Sequence, residues 1–140
     1  MSDANVDRLL ADARARLGRR ATPADLDDVV ARGGLVIDTR PVAQRDTDGS
    51  LPVAIVVDRN VLEWRLDPTS PHRLPELTSA DQPVVVVCNE GYASTLAALS
   101  LRDVGLHDVT DLEGGYQAWL AAQSGDQTAS NQSGCDPPPV

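Results

Sequence analysis

The chain has 140 residues, 41% hydrophobic and 24% charged, with a formal charge of −9, which is enough for one domain with a single sizeable core. A chain this acidic repels nucleic acid and anionic membrane rather than binding them, and no run approaches the ~18 apolar residues of a membrane span. Two cysteines, Cys88 and Cys135, make no disulfide framework, and with His72 and His107 the only histidines no spacing suggests a metal site.

Residues 1–5 are polar and carry no secretory pattern, so a cytoplasmic location is the default expectation. All 12 basic residues are arginine and phenylalanine is absent, a bias that suggests a GC-rich bacterial genome. The first 18 residues place Val6, Leu9, Leu10, Ala13 and Leu17 at helical spacing and stop at Gly18, which predicts a separate N-terminal helix. "TPADLDDVVARGG" predicts a second: Thr22 suits the N-cap, Pro23 the first helical position, Asp25 the first turn, and Gly33 with Gly34 the stop.

"LVID" (35–38) and "VAIVVD" (53–58) read as short buried strands, and "VLEWRL" (61–66) as a short helix. Residues 67–83, with four prolines, form a loop-rich connection. "VVVV" (84–87) is uniformly apolar and β-branched, the pattern of a central strand covered on both faces. "STLAALSLRDVG" (94–105) follows as a helix, "DVTDL" (108–112) as a strand, and "GGYQAWLAAQ" as a last helix. Residues 124–140 are polar and rich in Gly, Ser and Pro, which predicts a disordered tail beyond a domain over 19–123. Strands alternating with helices predict an α/β domain with a mainly parallel sheet.

Cys88 ends the most apolar strand, and ligand sites of parallel α/β sheets gather at the carboxyl ends of strands. Gly91 lets the backbone curl, and a helix starts near Ser94 or Thr95. Successive N–H groups in such a turn favour a thiolate, the reactive form of cysteine, and would hold a bound anion or a persulfide. The alternative for a lone cysteine is simple packing. Residues 81–140 carry eight acids against Arg102 alone, so the local sequence offers this turn little positive charge.

The stretch from residue 84 to 119 resembles the catalytic half of a rhodanese domain. Cys88 opens a loop, Gly91 follows three residues on, then come a helix, a strand, Leu112, Gly114, Gly115 and Trp119. "LVIDTRPVAQR" resembles the family's first-strand motif, with Asp38 and Arg40 in matching places, and "GSLPVAIVV" resembles a degenerate form of a later segment. The resemblance spans residues 20–121 or so, and implies a three-layer α/β/α fold with a mainly parallel five-stranded sheet. It places a first short strand near residues 19–22.

The implied activity is that of a sulfurtransferase, in which Cys88 takes sulfane sulfur from a donor as a persulfide and passes it to a thiol acceptor. No metal or organic cofactor is implied. The partners would be a small sulfur donor or a persulfide-bearing protein. The backbone of Asn89, Glu90, Gly91, Tyr92, Ala93 and Ser94 would hold the anionic sulfur.

Relatives commonly carry an arginine or lysine in this loop, whereas here Ala93 stands where many place arginine, and Glu90 repels anions. Poor activity with thiosulfate is therefore expected, and a neutral or protein-bound persulfide is the better donor. Arg40, Arg59 and Arg65 are candidates to bring positive charge to the rim, against ordinary ion pairing, with Asp38 the natural partner of Arg40. A cysteine phosphatase would need arginine six residues after the cysteine, where Ser94 stands. A non-catalytic module binding a protein or small anion, and a persulfide carrier or redox sensor, are the other readings. Cys135 could in principle resolve a Cys88 persulfide.

Overall fold

The computed structural model of the chain describes residues 4–124. The expected disordered tail from residue 125 onward, with Cys135, lies outside them. In chain order the elements are α1 (Asn5–Leu17), α2 (Leu26–Ala31), β1 (Leu35–Asp38), α3 (Val42–Asp48), β2 (Ile55–Val56), α4 (Leu62–Leu66), β3 (Val84–Val87), α5 (Ala93–Asp103), β4 (Val109–Asp111) and α6 (Gly115–Gln123). Short 3₁₀ turns at Pro23–Asp25 and Arg59–Val61 lead into α2 and α4.

The strands form one parallel sheet in the order β2-β1-β3-β4, with Leu35 level with Val84 and Val84 level with Val109. Every residue of β1 and β3 is buried, and strand alternation sends successive side chains to opposite faces. Leu35, Ile37, Val84 and Val86 therefore enter one core with Leu17, Leu62 and Leu101, while Val36, Val85 and Val87 enter another with Leu26, Val29 and Tyr116. That division is the three-layer arrangement that the resemblance implies, and the four consecutive valines are covered on both faces as their pattern predicts.

The sheet has four strands rather than the expected five. Where a fifth was expected, near residues 19–22, there is a single parallel bridge between Ala21 and Leu112. Ala21 N–H donates to Asp111 O at 3.0 Å and Ala21 O accepts from Glu113 N–H at 2.9 Å. The Thr22 N–H, which by strand alternation faces away from β4, goes to the Asp25 carboxylate at 2.8 Å, as one half of a capping box. Pro23 has no N–H at all. Pairing stops for want of donors.

Two other departures have simple causes. The α3 helix was not expected, and it buries no residue, so it has no apolar periodicity to show. The strand expected over 53–58 contracts to Ile55 and Val56, with Val57 N–H adding one bond to Asp38 O at 3.0 Å.

Candidate active site

Cys88 follows β3 directly and is buried, 7% exposed. Its Sγ accepts hydrogen bonds from the N–H of Gly91 at 3.2 Å and of Ser94 at 3.4 Å. Asn89, Glu90, Gly91, Tyr92, Ala93 and Ser94 run as one loop from the sulfur into the first turn of α5. The N–H groups of Tyr92 and Ala93 make no hydrogen bond with another described residue. Two backbone donors of one loop thus meet the sulfur, an arrangement suited to a sulfur or ligand that carries negative charge.

The glycine pair of the last turn explains how this backbone is fixed. Gly115 has φ +63, and a Cβ there would lie 2.6 Å from Cys88 O and 2.7 Å from Asn89 O. Its absence lets the start of α6 dock against the cysteine's own peptide. Tyr116 N–H donates to Cys88 O at 2.8 Å and Gln117 N–H to Asn89 O at 3.1 Å. Helix-start donors with no intrahelical partner thereby find acceptors. Gly91, at φ +86, lies so close to Gly114 that a Cβ would sit 2.7 Å from its nitrogen.

A second brace comes from β4. Asp111 is fully buried and accepts from Ser94 Oγ at 2.7 Å, Thr95 Oγ1 at 2.8 Å, and Arg20 Nε and Nη2 at 2.8 and 3.0 Å. Burial works against the Arg20 cation, yet the bond to Asp111 and the charges of Asp111, Glu113 and Cys88 hold its pKa above the ordinary arginine value. Arg20 Nη2 also donates to Gly91 O at 2.8 Å, and Arg14 Nη2 donates to the same oxygen at 3.0 Å. Arg14 lies over the Tyr92 ring, 5.6 Å from its centroid.

The expectation of a cation-poor setting is therefore corrected: it describes the local sequence and not the fold, which brings Arg14 and Arg20 to the loop from more than seventy residues away. One signal in the sequence bears on Arg14, which lies four residues after Leu10 and three before Leu17 and so flanks the inward face of its helix. Nothing local marks Arg20.

The three arginines singled out from the sequence are engaged elsewhere. Arg40 is buried, bonded to Asp38 through Nη2 at 2.8 Å and to Gly49 O at 3.0 Å, with its guanidinium 3.8 Å from the Tyr116 ring centroid. Arg59 pairs with Glu63 at 2.9 Å, and Arg65 donates to His72 O at 2.7 Å. Trp119 is partly buried beside Tyr116, with ring centroids 5.5 Å apart, whereas Trp64 is 58% exposed. His107 is exposed and pairs with Asp81 at 2.7 Å.

The family model described as "Rhodanese-like domain" matches residues 22–122. Thiosulfate sulfurtransferase GlpE of Pseudoalteromonas translucida is 46% identical over 44 residues, covering 31% of this chain and 42% of that protein. Adenylyltransferase and sulfurtransferase UBA4 of Candida albicans is 34% identical over 102 residues, 71% of this chain and 23% of that one. The chain thus spans less than half the length of these curated relatives. A solved structure from Rhodopseudomonas palustris, RPA3614, described as a protein of unknown function and possible tyrosine phosphatase, is 30% identical with a TM-score of 0.74. It covers 88% of this chain and 94% of its own.

Proposed function

The chain belongs to the rhodanese-like domain family, and from that premise we propose that it is a sulfurtransferase carrying sulfane sulfur as a persulfide on Cys88. The observation that supports this best is the pair of N–H groups, from Gly91 and Ser94, donating to Cys88 Sγ at the end of β3. In the first half-reaction the Cys88 thiolate attacks the terminal sulfur of the donor. A new S–S bond forms, the bond that held that sulfur in the donor breaks, and its electron pair leaves on the departing group: sulfite from thiosulfate, a thiolate from a persulfide, the enolate of pyruvate from 3-mercaptopyruvate. In the second, an acceptor thiolate attacks the terminal sulfur and the electron pair returns to Cys88. The loop donors steady the anionic terminal sulfur between the two steps, and one such donor is worth about 10²–10³ in rate at comparable oxyanion sites.

Donor preference follows from charge. Glu90 places a carboxylate in the loop, and Ala93 is exposed where a cation would meet an arriving anion. Unit charges about 4 Å apart repel by about 1 kcal/mol in water and about 4 near a protein surface. A neutral or protein-bound persulfide is therefore expected to serve better than thiosulfate, with Arg14 and Arg20 behind the Gly91 carbonyl offsetting part of that repulsion. Phosphoryl chemistry on the same loop is disfavoured, because Ser94 occupies the place of the phosphate-clamping arginine and its hydroxyl is committed to Asp111.

The test is intact mass after incubation with thiosulfate, 3-mercaptopyruvate or a low-molecular-weight persulfide. One added sulfur atom on Cys88, gained fastest from the persulfide and not at all by Cys88→Ser, is expected. No gain of sulfur from any of the three would sink the proposal.

A further inference from the structure

Arg14 and Arg20 both precede residue 22, where the family match begins, and both donate to one carbonyl, that of Gly91. A backbone carbonyl that receives two guanidinium bonds is fixed in direction. The peptide joining Gly91 to Tyr92 is trans, so its N–H points opposite to its C=O. Drawing Gly91 O toward the arginines therefore turns the Tyr92 N–H away from them. That N–H has no acceptor among the described residues, while its neighbours at Gly91 and Ser94 both donate to Cys88 Sγ.

The two arginines are secured in different ways. Arg20 is clamped by Asp111, which also takes the hydroxyls of Ser94 and Thr95. One carboxylate thus couples Arg20 to the turn that supplies the second sulfur donor. Arg14 reaches in from α1, lies over Tyr92, and keeps its Nε buried without a hydrogen-bond partner among the described residues. A guanidinium left partly unpaired away from water is costly, and a helix-surface arginine has solvent as an easy alternative.

We infer that Arg14 and Arg20 are positioning residues for the cysteine loop, orienting the Gly91–Tyr92 peptide toward the terminal sulfur and setting a positive field beneath it. The stretch before the family-matched span is on this account part of the working site. The inference rests on the sulfurtransferase reading for its purpose and not for its measurement.

The test uses the full chain and the variants Arg14→Met, Arg20→Met and Arg20→Lys, each checked for folding by circular dichroism. Cys88 is alkylated with neutral iodoacetamide and anionic iodoacetate, and modification is assigned to Cys88 by peptide mass. Each Arg→Met change is expected to lower the iodoacetate-to-iodoacetamide rate ratio about threefold to tenfold and to slow persulfide loading. Arg20→Lys keeps the ratio within about twofold without restoring loading, because an ammonium cannot bridge Gly91 O and Asp111 as the planar fork does. Folded Arg→Met variants with unchanged ratio and loading overturn the inference, and full recovery of loading by lysine overturns its positioning half. Should Arg20→Met fail to fold, Arg14→Met reads the same ratio without breaking an ion pair of the described residues. Alkylation proceeds whether or not Cys88 accepts sulfur, so failure of this inference and failure of the proposed function leave different records.

Discussion

Asp111 concentrates more of the site than any other single side chain. It is fully buried and accepts from Ser94, Thr95 and two nitrogens of Arg20. A carboxylate away from water is tolerated only when its oxygens are taken up in this way. Asp111→Ala leaves a largely buried guanidinium and two buried hydroxyls facing a void, and is expected to cost about 3–5 kcal/mol, read as a lowered urea midpoint. A loss under about 1 kcal/mol would mean that the cluster does not brace the loop. At this scale the sequence disclosed some residues and not others. Cys88 stood out as a candidate because an apolar run ends on it before a glycine turn, and the family resemblance singled it out. Arg20 did not, because its meaning depends on a carboxylate 91 residues later, a pairing that no local spacing can encode.

Among the elements, the turn between β4 and α6 carries the sharpest constraint. Gly115→Ala would place a Cβ 2.6 Å from Cys88 O at a φ of +63. Left-handed backbone and backbone overlap together should cost about 2–5 kcal/mol and push the cysteine loop outward. Gly33 makes the useful contrast: its φ is +82 but a Cβ there meets nothing within 4 Å, so Gly33→Ala should cost only about 1–2 kcal/mol. Thermal melts of the two variants, paired with Cys88 alkylation rates, check both claims. Equal costs would show that close approach to the cysteine adds nothing. The helices with a buried stripe were readable from their spacing, and α2 from its Thr22, Pro23 and Asp25 start. The α3 helix was not, since it buries nothing. The missing fifth strand turns on Pro23, which has no N–H to give where the next bond to β4 would fall.

For the whole molecule, the burial of β3 on both faces was legible in four valines, while the three-layer fold was what the family resemblance implied. How α1 attaches was not legible. Ala13 and Leu17 are its buried residues, and Arg102, from the end of α5, donates to Arg16 O at 2.8 Å and Leu17 O at 3.1 Å. Those carbonyls lie in the last turn of α1, where cations are favourable. Arg102→Ala should release about 1 kcal/mol of docking, roughly a fivefold rise in the undocked population. Limited trypsin digestion would show it as faster cleavage after Arg16 and Arg19, and an unchanged rate would mean that apolar packing alone secures the helix.

The broken pairing at Ala21 also bears on how copies of this chain meet one another. A long bare sheet edge is a template onto which a second chain can zip. On one side, Ala21 and the bond from Thr110 Oγ1 to Arg19 O at 2.8 Å cover β4, and Pro23 ends the row of donors. On the other, β2 runs for only two residues. The stunted ends of this sheet act as built-in protection against edge-to-edge aggregation, in a domain whose two central strands would otherwise be strongly self-adhesive.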